Sequence, residues 1–377
     1  METHGTDSSF LEGASQTLVD SGKVGVAIVG AGAFGTRRAL AIEKEPRSAI
    51  RIVADRLPEN AVKLAATVGC AYSANWEEVV AREDIDVVVV ATSTRFLPVV
   101  AFGALQAGKH VICEKPFGRN SGEVLPAVEE AAKRKLCLKV GYNHRFHPAI
   151  AKAHELLQLG TIGEIQFLRG VYGHGGRSGY DREWRADPQL AGGGQLLDQG
   201  VHMLDLFQWF LGDFAEVKAY TATSYWPIAP LEDNVFALLR KQDGRVATLH
   251  ASWTNWRNVF SLEVFGNKGF LSVTGLGRNY GLQRLCCGVR PAEGVKPEEQ
   301  WFDFGEVDHS LEEEWRVFLD CLESGSQPPS NGQDGFRILQ LTEAIYREAR
   351  NEPGEQVAVA AGYGGEVPIP FAERKQR

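Results

Sequence analysis

Val24-Gly25-Val26-Ala27-Ile28-Val29 runs directly into Gly30-Ala31-Gly32-Ala33-Phe34-Gly35, and a helical pattern follows. An apolar strand, a Gly-x-Gly-x-x-Gly turn and a helix in that order restrict the chain to a βαβ unit of a doubly wound sheet. Gly30 permits the tight turn, Gly32 leaves the backbone bare for a pyrophosphate, and Gly35 lets helix pack closely on strand. Ala33 and Phe34 open the helix, whose free N–H groups and positive dipole end attract phosphate. The next apolar run, Ile52-Val53-Ala54, ends on Asp55, where a carboxylate would accept hydrogen bonds from ribose hydroxyls. A 2′-phosphate beside Asp55 meets like charge, which favours NAD. The neighbouring Arg56 keeps NADP use open, since a guanidinium pairs well with phosphate.

The pattern continues through residues 23–147, a span expected to form a Rossmann dinucleotide-binding domain. Apolar runs at 24–29, 50–54, 86–91, 109–113 and 136–141 alternate with helical candidates at 33–45, 58–68, 75–82, 96–107 and 121–135. Residues 148–360 read differently, as an α+β domain for substrate binding and oligomerisation. A helix near 148–159, a strand near 164–172 and a helix near 195–211 precede antiparallel signals. Strands 235–240 and 246–253 flank Gln242-Asp243-Gly244, and 260–265 and 270–274 flank Gly266-Asn267-Lys268-Gly269. The fold class is therefore α/β: a parallel doubly wound sheet plus a large, mostly antiparallel open sheet. In the strand 246–253, one face is apolar and the other mixed, which predicts a homodimer or homotetramer covering the second face. Two helices close the chain, one opening with Ser310 and Glu313 in capping-box spacing, the other near Asp334. Residues 1–22 and 361–377 read as tails.

The 377 residues carry a net charge of −8, which opposes bulk attraction to nucleic acid or an anionic membrane. No run approaches the roughly 18–20 apolar residues that span a bilayer, and the first 22 residues lack a secretory core. The six cysteines show no CxxC pair or framework spacing, which points to reduced thiols and a cytosolic address. His144 and His147 lack a third ligand at suitable spacing, so no metal is expected.

Two segments carry chemistry. Lys115, in Glu114-Lys115-Pro116, follows the strand His110-Val111-Ile112-Cys113, so it leaves the carboxyl edge of the sheet, where ligands gather. The second segment is Gly192-Gly193-Gly194-Gln195-Leu196-Leu197-Asp198-Gln199-Gly200-Val201-His202. On a helix Asp198 and His202 would share one face. Hydride removal from a carbinol carbon needs a group to accept the hydroxyl proton, which suits His202 near neutral pH, with Lys115 as the second candidate. Asp198 could orient the imidazole or bind a neighbouring hydroxyl, and Lys115 could stabilise developing negative charge on the oxygen.

These segments, with Ala107-Gly108-Lys109-His110-Val111 and Gly141-Tyr142-Asn143-His144-Arg145-Phe146, fall in order over roughly residues 23–350. The chain resembles the glucose–fructose oxidoreductase / inositol dehydrogenase / rhizopine-catabolism (Gfo/Idh/MocA) family. The resemblance implies NAD(P)-dependent oxidation or reduction of sugars and cyclitols, and places the family's catalytic lysine, aspartate and histidine at Lys115, Asp198 and His202. Similar proteins often carry Thr-Pro-Asn and a histidine after the fourth strand. This chain has Thr92-Ser93-Thr94-Arg95-Phe96-Leu97 instead, whose backbone is still expected to meet the nicotinamide.

The loop from Tyr172 through Arg177 and Tyr180 to Trp184-Arg185 offers rings for the apolar faces of a sugar and guanidiniums for an anionic group. With Asn143 and Arg145 it outlines a pocket for the carbohydrate or cyclitol substrate, and its arginines lead to the expectation of an anionic sugar: a nucleotide sugar, sugar phosphate or uronate. Two rival readings stay open: a dinucleotide-binding regulator, and a glycoside hydrolase that uses tightly held NAD in transient redox.

Overall fold

The computed structural model describes residues 22–350; apart from Gly22, the tails expected at 1–22 and 361–377 lie outside them. The first half alternates as its apolar runs require: β1 (Val24–Val29), α1 (Ala33–Ile42), β2 (Ser48–Ala54), α2 (Pro58–Val68), β3 (Ala71–Ser73), α3 (Trp76–Val80), β4 (Val87–Val90), α4 (Leu97–Gln106), β5 (His110–Cys113), α5 (Ser121–Arg134) and β6 (Leu138–Val140). The strands pair in parallel in the order β3-β2-β1-β4-β5-β6. Its reversal falls between β1 and β4, the switch point outside which ligands bind. Val26, Ala27 and Ile28 on β1 and all of β4 are fully buried, as expected for strands covered on both faces. The short strand β3 was not legible as a strand, because its Ala-Tyr-Ser is an exposed edge with no apolar run.

The second half contains α6 (Pro148–Gln158), β7 (Ile165–Gly173), α7 (Pro188–Ala191), a π-helical turn (Leu196–Gly200), α8 (Val201–Leu211), β8 (Glu216–Ala222), β9 (Asn234–Arg240), β10 (Val246–Ser252), β11 (Val259–Gly266), β12 (Gly269–Thr274), β13 (Arg284–Val289), β14 (Glu298–Asp303), α9 (Ser310–Ser324) and α10 (Gly332–Ala349). Strands β7 to β14 form an eight-stranded sheet in the order β14-β13-β12-β11-β7-β10-β9-β8. Only β7 and β10 run parallel; the other pairs are antiparallel. One face of β9, with Val235, Ala237 and Leu239, is buried in the same apolar cluster as Leu204 and Phe207 of α8, while Phe236 and Leu238 on the other face are exposed.

The chain then returns to the first sheet. Trp315, Phe318 and Leu319 of α9 share a buried cluster with Val26 and Ile28 of β1, and Trp315 Nε1 donates to Ser48 Oγ at 3.0 Å. A division of the chain at 147/148 thus leaves α9 packed in the core of the dinucleotide half. The expected capping box at Ser310 does not form: Ser310 is already helical and donates to Asp308 just before the helix. α10 begins at Gly332, capped by Asn331, whose side chain accepts from Asp334 N–H.

Candidate active site

The glycine-rich turn has the shape that a dinucleotide needs. Gly30 sits at φ 103°, and a Cβ there would lie 2.4 Å from the Ala91 carbonyl oxygen. A Cβ on Gly35 would lie 1.8 Å from the Gly30 carbonyl, so helix and turn could not close. Gly32 differs, because a Cβ there would meet nothing within 4 Å. Its bare backbone faces open space at the N-terminus of α1, the cradle that a diphosphate fills. Asp55 braces this turn: its Oδ2 accepts from Ala31 N–H at 2.7 Å and its Oδ1 from Leu57 N–H at 2.9 Å. Each oxygen keeps a lone pair for a ribose hydroxyl. Arg56 is exposed beside it.

A cavity of about 910 Å³ runs from this turn, past Thr92, Ser93 and Thr94, to Lys115, Asp198 and His202. It is large enough for a dinucleotide with a small molecule at its end. Lys115 leaves the carboxyl end of β5. Its Nζ donates to the Asp198 main-chain carbonyl and, at 3.0 Å, to Asp198 Oδ1. The Asp198 carboxylate also lies 3.6 Å from Arg185 Nε and 3.4 Å from the Tyr180 hydroxyl. Burial works to raise the pKa of this acid, but the charges of Lys115 and Arg185 outweigh it and hold the group well below the usual carboxylate range.

The helix expected over 195–211 begins with the π turn that carries Asp198, and His202 follows on α8. Among the described residues no hydrogen bond joins the two, and the Asp198 carboxylate pairs with Lys115. His202 instead stacks on His144 with ring centroids 3.8 Å apart. Burial first, and then the Lys115 charge, push its pKa far below the ordinary histidine value, leaving a neutral ring able to accept a proton. His144 is pushed down likewise by burial and by His202, His147 and Lys115.

Four other expected site residues have their polar groups engaged within the protein. Arg145 was expected to reach an anionic substrate, but it is buried and makes a two-pronged pair with Asp205, at 2.9 and 2.6 Å. Glu114, expected with Lys115 among the residues beside the cofactor, lines the cavity, while its carboxylate accepts from Arg38 Nε at 2.5 Å inside a buried network with Glu314 and Lys139. Asn143 lines the cavity, but its amide is engaged inside the protein: Nδ2 donates to Ser310 Oγ at 2.7 Å, and Oδ1 lies 3.4 Å from His144 Nδ1. Arg177 is not a free anion receptor, since it forms a two-pronged pair with Glu183 at 2.7 and 2.6 Å.

Tyr172, Trp184 and Arg185 do line the cavity, with Arg185 over the Trp184 ring at 4.6 Å. Sequence reasoning missed Tyr280, whose hydroxyl accepts from Gln199 Nε2 at 3.1 Å, and His174, both in the wall. It also missed Glu232, which holds the glycine loop. Its Oε2 accepts from Gly194 N–H at 3.1 Å and its Oε1 from Leu196 N–H and the Tyr346 hydroxyl, each at 2.9 Å. No short local motif marks it; only the fold brings it to the loop. Among the described residues no cluster is placed to hold a metal ion, and no helix is long and apolar enough to cross a membrane.

A dinucleotide cradle whose far end holds an ion pair and a neutral imidazole defines a nicotinamide-dependent oxidoreductase. Comparison with known proteins makes the class specific. Residues 24–142 match the model of an oxidoreductase family with an NAD-binding Rossmann fold, and residues 150–272 match the GFO/IDH/MocA C-terminal domain. The chain is 28% identical over 389 residues to levoglucosan dehydrogenase of Pseudarthrobacter phenanthrenivorans, covering 87% of this chain and 96% of that one. It is 30% identical over 281 residues to 1,5-anhydro-D-fructose reductase of Ensifer adhaerens, covering 72% of this chain and 80% of that one. The structure of levoglucosan dehydrogenase in complex with NADH and levoglucosan has the same fold, with a TM-score of 0.81 at 23% identity over 89% of this chain and all of the other. The chain belongs to the Gfo/Idh/MocA family of NAD-binding oxidoreductases.

Proposed function

We propose that this enzyme oxidises a secondary hydroxyl of a sugar or cyclitol, or reduces the matching ketone, with Lys115, Asp198 and His202 as its reacting centre. The observation that supports this most is the Lys115–Asp198 pair, which joins the two halves of the chain in the cavity that begins at the glycine-rich turn. NAD, when bound, supplies the hydride acceptor. His202, neutral and buried, takes the hydroxyl proton. Lys115 donates a hydrogen bond to the same oxygen as negative charge develops there. Asp198 holds the Lys115 ammonium in place, and neutral His202 adds no repulsion to it.

A polyhydroxylated ring without charge suits the pocket best. Arg177 and Arg185 already face Glu183 and Asp198, so an anionic group would have to displace a carboxylate. Tyr172, Tyr180 and Trp184 offer apolar faces for ring C–H groups. The relatives' names, among them levoglucosan dehydrogenase and inositol 2-dehydrogenase, support the same substrate class. A panel of neutral sugars and cyclitols with NAD, followed for NADH absorbance and for hydrolysed product, tests this. NADH without hydrolysis is expected; a released sugar without net NADH would select the glycosidase reading, and no turnover of any kind the regulatory one.

In this reading residues 23–147 bind the dinucleotide, and the substrate and oligomer surfaces lie from residue 148 onward. The open face of the eight-stranded sheet exposes Phe167, Tyr220, Phe236, Leu238 and Trp301, which supports a homodimer or homotetramer. Light scattering that returned a strictly monomeric mass would refute it. The cysteines, all free, support a cytosolic setting.

A further inference from the structure

Arg278, a cation on the cavity wall, has no ion-pair partner among the described residues. Between β12 and β13 the chain forms a tight loop, Gly275-Leu276-Gly277-Arg278-Asn279-Tyr280-Gly281. Arg278 takes φ 51°, the left-handed region that side-chain-bearing residues avoid. The conformation is held from outside: Arg278 N–H donates to the Glu306 carbonyl at 2.7 Å, and Gly277 N–H to the Gly281 carbonyl at 2.9 Å. Such a conformation at a surface loop suggests that the position of the side chain matters. Arg278 is exposed, lines the cavity, and has no carboxylate partner among the described residues.

Its neighbourhood identifies the ligand chemistry. A second guanidinium in the same wall is Arg37 of α1, which follows the glycine-rich turn by a few residues and pairs with Asp308 at 2.8 Å. Arg37 and Arg278 line the same cavity, and burial, then Arg278 and Arg38 by like charge, lower the Arg37 pKa against the pull of Asp308. Among the described residues these two guanidiniums have one ion-pair partner between them, Asp308, and Arg37 holds it. An anion would complete the set, and the one group expected beside Gly32 is a diphosphate. The reacting centre lies further along the cavity, where Tyr280 of the same loop meets Gln199.

We propose that Arg278 is a cofactor-binding residue supplied by the second half of the chain, closing on the dinucleotide's diphosphate from the side opposite the glycine-rich turn. The proposal rests on the dinucleotide cradle described above, but not on which group takes the substrate proton. It makes the β12–β13 loop a clamp, so cofactor affinity depends on both halves of the chain.

The test is binding, not turnover. Calorimetry would measure ADP-ribose, which carries the diphosphate, and adenosine, which carries none, on the full-length protein and its Arg278→Gln and Arg278→Lys variants. Arg278→Gln is expected to weaken ADP-ribose about tenfold, the loss of one charge-assisted contact, while adenosine stays within about twofold. Arg278→Lys should recover part of the loss, and added salt should weaken ADP-ribose more in the parent protein than in Arg278→Gln. An unchanged ADP-ribose affinity in Arg278→Gln overturns the clamp, as does an equal loss for adenosine. Failure of the parent protein to bind ADP-ribose would overturn the cradle and the clamp together, whereas a clamp that fails alone leaves the cradle standing.

Discussion

Replacing Arg145 by Met separates a structural role from a substrate-binding one. The guanidinium meets both oxygens of Asp205 at 2.9 and 2.6 Å, and the Asp205 side chain is 0% exposed. A second carboxylate, Asp334, lies 3.5 Å away, and the Trp209 ring 5.4 Å. Removing one partner of such a pair leaves a buried charge without compensation, at a cost of about 3–5 kcal/mol. With an unfolding entropy of about 2.1 cal/mol/K per residue, that is a drop of about 5 °C in Tm for a chain of this size. Burial already raises the Asp205 pKa against the pull of Arg145, so without the guanidinium it rises further. A carboxyl group whose folded pKa lies above the unfolded value gains stability as pH falls, because the native state then binds the proton more tightly. The deficit of Arg145→Met relative to the parent should therefore shrink on acidification, and Arg145→Met/Asp205→Leu should recover most of it. Thermal melts over a pH series measure both effects, and KM should change less than threefold. A large rise in KM with Tm within a degree of the parent would refute the reasoning and return Arg145 to the substrate.

His144, His147 and His202 are buried and held neutral, each with its pKa lowered first by burial. Unfolded histidine titrates near 6.5, so below that pH the unfolded chain binds protons that the native one does not, and stability falls as pH drops. His144 and His202, held furthest down, should each cost about 1.4 kcal/mol between pH 7.5 and 5.5; urea unfolding of His144→Phe should show a slope shallower by one such share, and an unchanged slope contradicts the assignment. Gly32→Ala should leave Tm within a degree of the parent and weaken NADH binding at least tenfold, because its Cβ meets no protein atom and enters the cradle. Gly30→Ala, at φ 103° and against the Ala91 carbonyl, should instead destabilise the fold; similar melts for the two variants would be the contrary result. Glu232→Ala strips the acceptor from Gly194 and Leu196 N–H, so it should cost about 1–3 kcal/mol and lower kcat more than NADH affinity. Equal losses in kcat and NADH affinity would show that the loop serves the cofactor rather than the reacting groups.

What was legible in the sequence followed its local grammar. The strand, glycine turn and helix at 24–42, the acid Asp55 and the lysine after β5 are each set by neighbours in the chain, and their placement follows from the parallel sheet alone. The hairpins β9–β10 and β11–β12 were equally clear from alternation and turn residues. What stayed hidden depends on distant partners. The Asp205 that neutralises Arg145 and the Arg38 that occupies Glu114 are brought close only by the fold. The π turn that carries Asp198 is announced by no periodicity in Leu196-Leu197-Asp198-Gln199-Gly200. Edge strands such as β14, with Glu-Glu-Gln-Trp-Phe-Asp, carry charge because they face water, and so lack the apolar pattern that marks a buried strand.

The central claim is that Lys115 and His202 act on the substrate oxygen within an NAD-binding site. Single-turnover NADH formation from an active sugar or cyclitol, measured beside NADH affinity for the parent, Lys115→Met and His202→Ala, tests it most directly. The account predicts that each variant binds NADH within a few-fold of the parent while the rate falls about 10²- to 10⁴-fold. A His202→Ala variant that turns over at the parent rate with NADH still bound would contradict it.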